Sequence, residues 1–189
     1  MALLIQHNQV YAFPRLLVVV AVWLISCGMS KAQSEAAREH QVKAVFLFNF
    51  AQFVQWPDIA FDHTTSQLVI GVLGTDPFGS FLDETVKGES VNGHPLRVLR
   101  FQKPEDVVGC HILFIQIPKN EQLREVLEKL KGRHILTVSE STTFIKQGGI
   151  VRFVKENNKI RFQINLAAAK EADLVISSKL LRLAEVVSN

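Results

Sequence analysis

The sequence predicts a single three-layer α/β domain, with a mostly parallel sheet that is doubly wound in the middle and a C-terminal antiparallel hairpin. Three observations carry this prediction. The runs at 68–73, 111–117 and 134–138 are apolar over most of their length, the pattern of strands buried on both faces. Stretches with a one-sided apolar stripe lie between these runs, so the connections are right-handed crossovers of a parallel sheet. Residues 150–165 alternate around Asn157-Asn158, a pair that tolerates the positive φ of a two-residue primed turn.

The chain has 189 residues, of which 48% are hydrophobic and 21% charged, enough for one domain with a real core. Its N-terminus reads as a leader over 1–32. Arg15 precedes an apolar run at 16–25 that is too short to span a bilayer and fits a signal-peptide core. Two processing sites compete. Ser30-Lys31-Ala32 is a small-x-small site with cleavage before Gln33, and Leu24-Ile25-Ser26-Cys27 has the form of a bacterial lipobox that would lipidate Cys27. The soluble form is the expectation, because polar Ser34-Glu35 follows Ala32 as a mature start should; an uncleaved anchor is a third option. Each of these puts the domain at 33–189 outside the cytoplasm. Loss of Arg15 and Lys31 takes the formal charge from +3 to +1, which gives no reason to expect a nucleic-acid partner. Cys110 is then the lone mature cysteine. It borders an apolar strand and is expected as a buried thiol.

The stretch 41–57 is the expected anchor of the core. Val42, Val45, Phe46, Asn49, Phe53 and Trp56 recur at three- and four-residue steps, and Leu47, Phe48, Phe50 and Val54 widen that face. Lys43, Gln52 and Gln55 are left for solvent, and Pro57 stops the helix. Asn49 is read as a satisfied structural amide on the inner face. The strand at 68–73 leads through Gly74-Thr75 to Asp76, expected as an N-cap, and Pro77, expected as the first helical residue. Phe78, Phe81, Leu82 and Val86 form that helix's stripe, and Gly88 ends it. Residues 91–95 read as a turn and 96–101 as a short strand. Residues 104–108 read as a loop or single helical turn.

After the strand at 111–117, Pro118 breaks the chain and Asn120 caps a helix. Leu123, Val126, Leu127 and Leu130 form its stripe, and Gly132 closes it. A short helix at 142–147 follows the third strand. In the hairpin, the turn pairs Lys155 with Ile160, Phe153 with Phe162 and Val151 with Ile164. Asn165 caps the next helix, 174–176 is a short strand, and Ser177 or Ser178 caps a last helix carrying Leu180, Leu181, Leu183 and Val187.

No catalytic constellation is visible. The turn at 74–79 sits where doubly wound sheets place ligands, and Gly74, Thr75 and Asp76 are its candidate contacts. Yet no Gly-Lys-Ser/Thr follows, the spacing fails the dinucleotide fingerprint, and Asp76 would repel phosphate. A plain strand-to-helix turn is the simpler reading. Cys110 and His111 are adjacent strand residues that point to opposite faces, so they form no dyad. His40, His63, His94 and His134 lack metal-ligand spacing, and Ser139 and Ser141 lack a nucleophile-elbow context. No cofactor or metal is expected, and the domain is not read as an enzyme.

Several blocks resemble one family. They are Lys43-Ala44 through Trp56-Pro57, Val69-Ile70-Gly71-Val72 with Asp76-Pro77-Phe78-Gly79, and Gly109 through Phe114. Gly148 through Phe153, Ile164-Asn165-Leu166-Ala167-Ala168 and Ile176 through Ala184 complete the set. In this order and spacing, over about residues 40–187, they resemble the YfiR/HmsC-like family of periplasmic proteins. The resemblance implies a periplasmic regulatory protein that binds and represses a membrane-bound diguanylate cyclase, lowering cyclic-di-GMP and biofilm formation. It also implies a homodimer and an outer-membrane lipoprotein as a second partner, and it carries over no catalytic residue. The best-known members have paired cysteines that make the periplasmic form redox-responsive; Cys110 has no mature partner, which sets this chain apart from that pattern.

A protein without chemistry acts by contact. The candidate partner surface is the hairpin's outer face, with Arg152, Lys159 and Arg161, and the last helix, with Lys179 and Arg182. The simpler reading of those residues is an ordinary solvated face. The alternative function is a periplasmic small-ligand-binding sensor that uses the turn at 74–79.

Overall fold

A computed structural model describes residues 35–61, 66–117 and 120–187. The leader, both of its processing sites and Cys27 lie outside the described residues. By its contacts the chain divides into residues 1–39 and a compact unit at 40–189, and the architecture below is that of the second unit.

The helix α1 covers 35–53 and passes directly into the strand β1 (Val54–Gln55). Then come β2 (Leu68–Gly74), α2 (Ser80–Val86), β3 (Ser90–Val91) and β4 (His94–Phe101). The middle continues with β5 (Ile112–Gln116), α3 (Asn120–Leu130) and β6 (Leu136–Ser139). The C-terminal part holds β7 (Val151–Glu156), β8 (Lys159–Asn165), α4 (Leu166–Glu171), β9 (Val175–Ile176), α5 (Ser178–Leu181) and β10 (Glu185–Val187). Eight strands form one sheet in the order β10-β8-β7-β6-β5-β2-β4-β3, while β1 and β9 form a separate antiparallel ribbon. The inner pairs β4–β2, β2–β5, β5–β6 and β6–β7 are parallel. The hairpin β7–β8 is antiparallel, with Lys155 opposite Ile160, Phe153 opposite Phe162 and Val151 opposite Ile164, as the alternation predicts. Asn157 and Asn158 take φ of 48° and 58° to make its turn.

Alternation along the central strands divides the core in two. Ile70, Val72, Ile112, Phe114, Leu136 and Val138 face α1, α2, α4 and α5. Val69, Leu73, Leu113 and Ile115 face α3 and Phe144. This is the three-layer arrangement expected of a sheet flanked by crossovers. Gly71 lies on the second face, where a Cβ would come within 2.8 Å of Leu113 and Phe101 and 2.7 Å of the Cys110 sulfur. The glycine makes room for the thiol, which is buried against the Ile112 carbonyl at 3.1 Å. Burial, partly offset by backbone hydrogen bonds, pushes that thiol up to about 12.

Several elements differ from the sequence expectation. The buried line of α1 is Lys43, Ala44, Leu47, Phe50 and Ala51, continuing to Val54 in β1. Val42 and Val45 are 44% and 42% exposed instead, and Phe46, Asn49, Phe53 and Trp56 are half-buried. The stripe is therefore turned by about one residue from the one read. A helix apolar on nearly every side has a poorly defined apolar direction, which is why the phase was wrong. Lys43, expected in solvent, is 2% exposed with its ammonium 2.8 Å from Glu140 Oε2. The helix ends at Phe53, before Trp56, because Val54 and Gln55 pair with Ile176 and Val175.

Asp76 is no N-cap. It accepts from the N–H groups of Phe78 and Gly79 in a turn of its own, and α2 starts at Ser80. The turn at 91–95 contains Asn92 and Gly93, both at positive φ, and joins β3 to β4 as a second hairpin. The last helix stops at Leu181, capped by Ser177, and Val187 belongs to β10, parallel to β8. Leu183 is exposed between them.

Candidate functional site

Two regions hold the residues singled out from the sequence. The first is the sheet face opposite α1 over β7, β8 and β10. The second core, built on α3 and Phe144, does not extend there, and the strands present Arg152, Val154, Arg161, Gln163 and Glu185. Register lines three of these into a row. Arg152 lies opposite Gln163 and Gln163 opposite Glu185. Arg152 Nη1 donates to Gln163 Oε1 at 3.1 Å, and Gln163 Nε2 donates to Glu185 Oε2 at 2.9 Å. Arg152 is thus half-buried and engaged within its own sheet. Its buried Nε makes no hydrogen bond among the described residues.

Arg161 is the more available cation of this face. It is 59% exposed, and its Nε stands 3.6 Å from Glu156 Oε2, an ion pair too long for a hydrogen bond. Exposed pairs of this kind contribute at most about 1 kcal/mol, so a partner can replace one at small cost. Arg161 and Arg182 line one groove of about 370 Å³, with Phe162, Leu183 and Glu185. They come together because β10 pairs with β8 and brings the chain after α5 back beside the hairpin. Lys159, at the hairpin turn, and Lys179, on α5, are exposed but do not line the groove. The geometry brings together Arg161 and Arg182, engages Arg152 internally, and leaves the two lysines apart from the groove.

The second region is the carboxyl end of β2. Gly74 has φ of +88°, and a Cβ on it would come 2.4 Å from the Gln116 carbonyl oxygen, so only glycine fits against the end of β5. Thr75 N–H donates to the same oxygen at 3.2 Å. Gly74 and Thr75 line a crevice of about 560 Å³ with Gln102, Gln116, Gln122 and Glu125. The glutamines come from three separate elements and have no spacing in the sequence that would have marked them. Asp76 is not part of this lining. Its Oδ2 accepts from Arg100 Nε at 2.8 Å, while Arg100 also donates to both oxygens of Asp83 and to the Gly79 carbonyl. The Arg100 hydrogen bond holds the Asp83 carboxyl below its ordinary range, and the two aspartates raise the Arg100 guanidinium further. Arg100 is a clamp that fixes the turn at 76–79 to β4.

Among the described residues no group of three or more His, Cys, Asp and Glu could hold a metal. His111 is used structurally. Its Nδ1 accepts from Val69 N–H at 3.1 Å, and its Nε2 lies 3.1 Å from the Ala60 carbonyl. Its own carbonyl accepts from Trp56 Nε1 at 3.2 Å, and Phe61 stacks on its ring at 4.4 Å. Phe61 also stacks on His94 at 3.9 Å, so the segment after α1 is tied down by aromatic and backbone contacts. His94 and His134 each reach a backbone carbonyl, of Ser66 and Ala172.

The profile of a protein family described as YfiR/HmsC-like matches residues 40–185. No curated protein matches the chain. Among solved structures, an ABC domain in complex with L-Trp from Streptococcus pneumonia is similar with a TM-score of 0.45 at 11% identity, over 64% of this chain and 55% of that one. A conserved domain protein from Vibrio cholerae O1 biovar El Tor is similar with a TM-score of 0.45 at 12% identity, over 64% of this chain and 54% of that one. The chain spans about half the length of these two structures.

Proposed function

The chain belongs to the YfiR/HmsC-like family, and from that premise we propose that it binds and represses a membrane-bound diguanylate cyclase from the periplasm, lowering cyclic-di-GMP and biofilm formation. Members of this family are periplasmic regulators of diguanylate cyclases rather than enzymes. Among the described residues no helix is long and apolar enough to cross a membrane. The proposal adds an export leader at 1–32, cleaved after Ala32 or lipidated at Cys27. It also adds a homodimer and an outer-membrane lipoprotein that competes for the repressor.

The observation that supports action by contact is the groove shared by Arg161 and Arg182. Arg161, on a sheet face that the second core leaves uncovered, and Arg182 line it together with exposed Leu183 and half-buried Val154. Arginine beside exposed apolar surface is the composition of protein interfaces, and the fork of a guanidinium suits a partner carboxylate. Lys159, Lys179 and Arg152 are secondary members of this surface. The test is a double charge reversal, Arg161→Glu with Arg182→Glu, in cells lacking the wild-type gene. The variant should fold, and cyclic-di-GMP and biofilm should rise to the level of the deletion. Full repression by the folded variant would move the partner surface elsewhere.

A further inference from the structure

The crevice at the carboxyl ends of β2, β4 and β5 lies where the two windings of the sheet part. The apolar side chains of α2, Phe78 before it with Leu82 and Val86, join the α1 core. Those of α3, Leu123, Val126 and Leu127, join the opposite core. The connections on either side of β2 and β5 therefore leave on opposite faces, the position at which open α/β sheets bind ligands. The volume of about 560 Å³ is that of a small-molecule site. Gly74 pressed against the Gln116 carbonyl, with the Thr75 hydrogen bond beside it, gives the crevice a fixed floor.

Its chemistry is specific. The carboxamides of Gln102, Gln116 and Gln122 converge from the end of β4, the end of β5 and α3, and none is hydrogen-bonded among the described residues. Each carboxamide offers two donors and an acceptor oxygen with two lone pairs. Thr75 and Glu125 add a hydroxyl and a carboxylate, and half-buried Ile117 supplies apolar surface. The lining cation, Lys129, donates to Glu105, whose carboxyl it holds below the ordinary range, so the pair adds no net charge. With Lys129 neutralised and Glu125 left over, the crevice repels phosphate and other anions.

We propose that this crevice binds an uncharged, polyhydroxylated small molecule of the saccharide class. Adjacent hydroxyls both give and accept hydrogen bonds, which matches the three carboxamides and the Glu125 carboxylate, while half-buried Ile117 meets the C–H face of a sugar ring. Nuclear magnetic resonance titration of the purified protein with glucose, N-acetylglucosamine and diacetylchitobiose tests this. At least one should give saturable shifts confined to residues 74–75, 102, 116–117 and 122–129, with a Kd of about 1 mM or tighter. Gln116→Leu with Gln122→Leu should weaken that binding about tenfold or more, and the exposed Gln102→Ala should weaken it in a protein whose spectrum is otherwise unchanged. The Arg161→Glu, Arg182→Glu variant should bind the sugar as wild type does, which separates this site from the partner surface. Lack of saturation with all three sugars would overturn the proposal. So would undiminished binding in the folded glutamine variants, or saturable shifts at these residues with inorganic phosphate.

Discussion

Replacement of Glu140 by glutamine should destabilise the protein more than replacement of Lys43 by methionine. Lys43 is 2% exposed, and its ammonium lies 2.8 Å from the Glu140 carboxylate, which is 31% exposed. Removing one partner of a fully buried pair costs about 3–5 kcal/mol, because the remaining charge stays in a low-dielectric site. Water reaches Glu140, so the interior around the ammonium is less dry than in that limit, and Glu140→Gln should cost about 2–3 kcal/mol. Lys43→Met has the opposite logic. It removes the charge that is costly to bury, fills nearly the same volume, and leaves Glu140 able to hydrate, so its effect should lie within about 1 kcal/mol of zero. Urea denaturation reads the difference. With an m-value of about 2 kcal/mol/M, Glu140→Gln should lower the midpoint by about 1–1.5 M. A wild-type midpoint for Glu140→Gln, or an equal loss for Lys43→Met, would refute the reasoning.

Other expectations follow from the packing. Phe50 is fully buried, with ring centroids 5.9 Å from Phe153 and 5.3 Å from Phe162, so Phe50→Ala should cost about 3–5 kcal/mol, and half-buried Phe53→Ala clearly less. Equal midpoints for the two variants would put the core face of α1 elsewhere. Gly71→Ala should lower stability by about 1–3 kcal/mol through overpacking against Cys110, Leu113 and Phe101, and Cys110→Ala should recover part of the loss. Cys110 should react with a thiol reagent at pH 8 only as fast as the protein opens, because its thiol is buried and pushed up to about 12; rapid native-state labelling would contradict this. Asp83 is held below its ordinary value by Arg100, so its contribution to stability is present above the unfolded-state value and is lost as pH falls through the lower folded-state value. In Arg100→Gln that part of the acid dependence, measured by denaturant midpoints, should flatten.

What was legible in the sequence was local or strictly periodic. The hairpin register followed from alternation and the Asn157-Asn158 turn, and the Asn165 cap from a side chain able to accept from the next turn, while of the two serines offered for the last helix Ser177 is the cap. The buried strands followed from their apolar runs. What failed depended on partners distant in the chain. The phase of α1 is set by Glu140 and by the Phe153–Phe162 pair, neither visible in a stripe that is apolar almost all round. The strand at β10 exists because β8 has a free edge there, although Leu183 and Val187 fit a helical spacing equally well. The same holds for function. Gly74 and Thr75 could be placed from the switch-point rule, but Gln102, Gln116 and Gln122 become neighbours only once three elements are in place. Asp76 looked like a ligand group because Arg100, twenty-four residues on, could not be seen to claim it. Arg161 and Arg182 were chosen by exposure and charge, and β10 is what brings them to one groove.

The central claim is repression by direct contact through that groove, and a binding titration tests it most directly. The purified protein is titrated with the isolated periplasmic part of the membrane cyclase, and the Arg161→Glu, Arg182→Glu variant is measured beside it. The account predicts a saturable complex for the wild type and at least about a tenfold weaker one for the folded variant, a loss of about 1.4 kcal/mol or more. No complex with the wild type, or equal affinity for the two proteins, would contradict it.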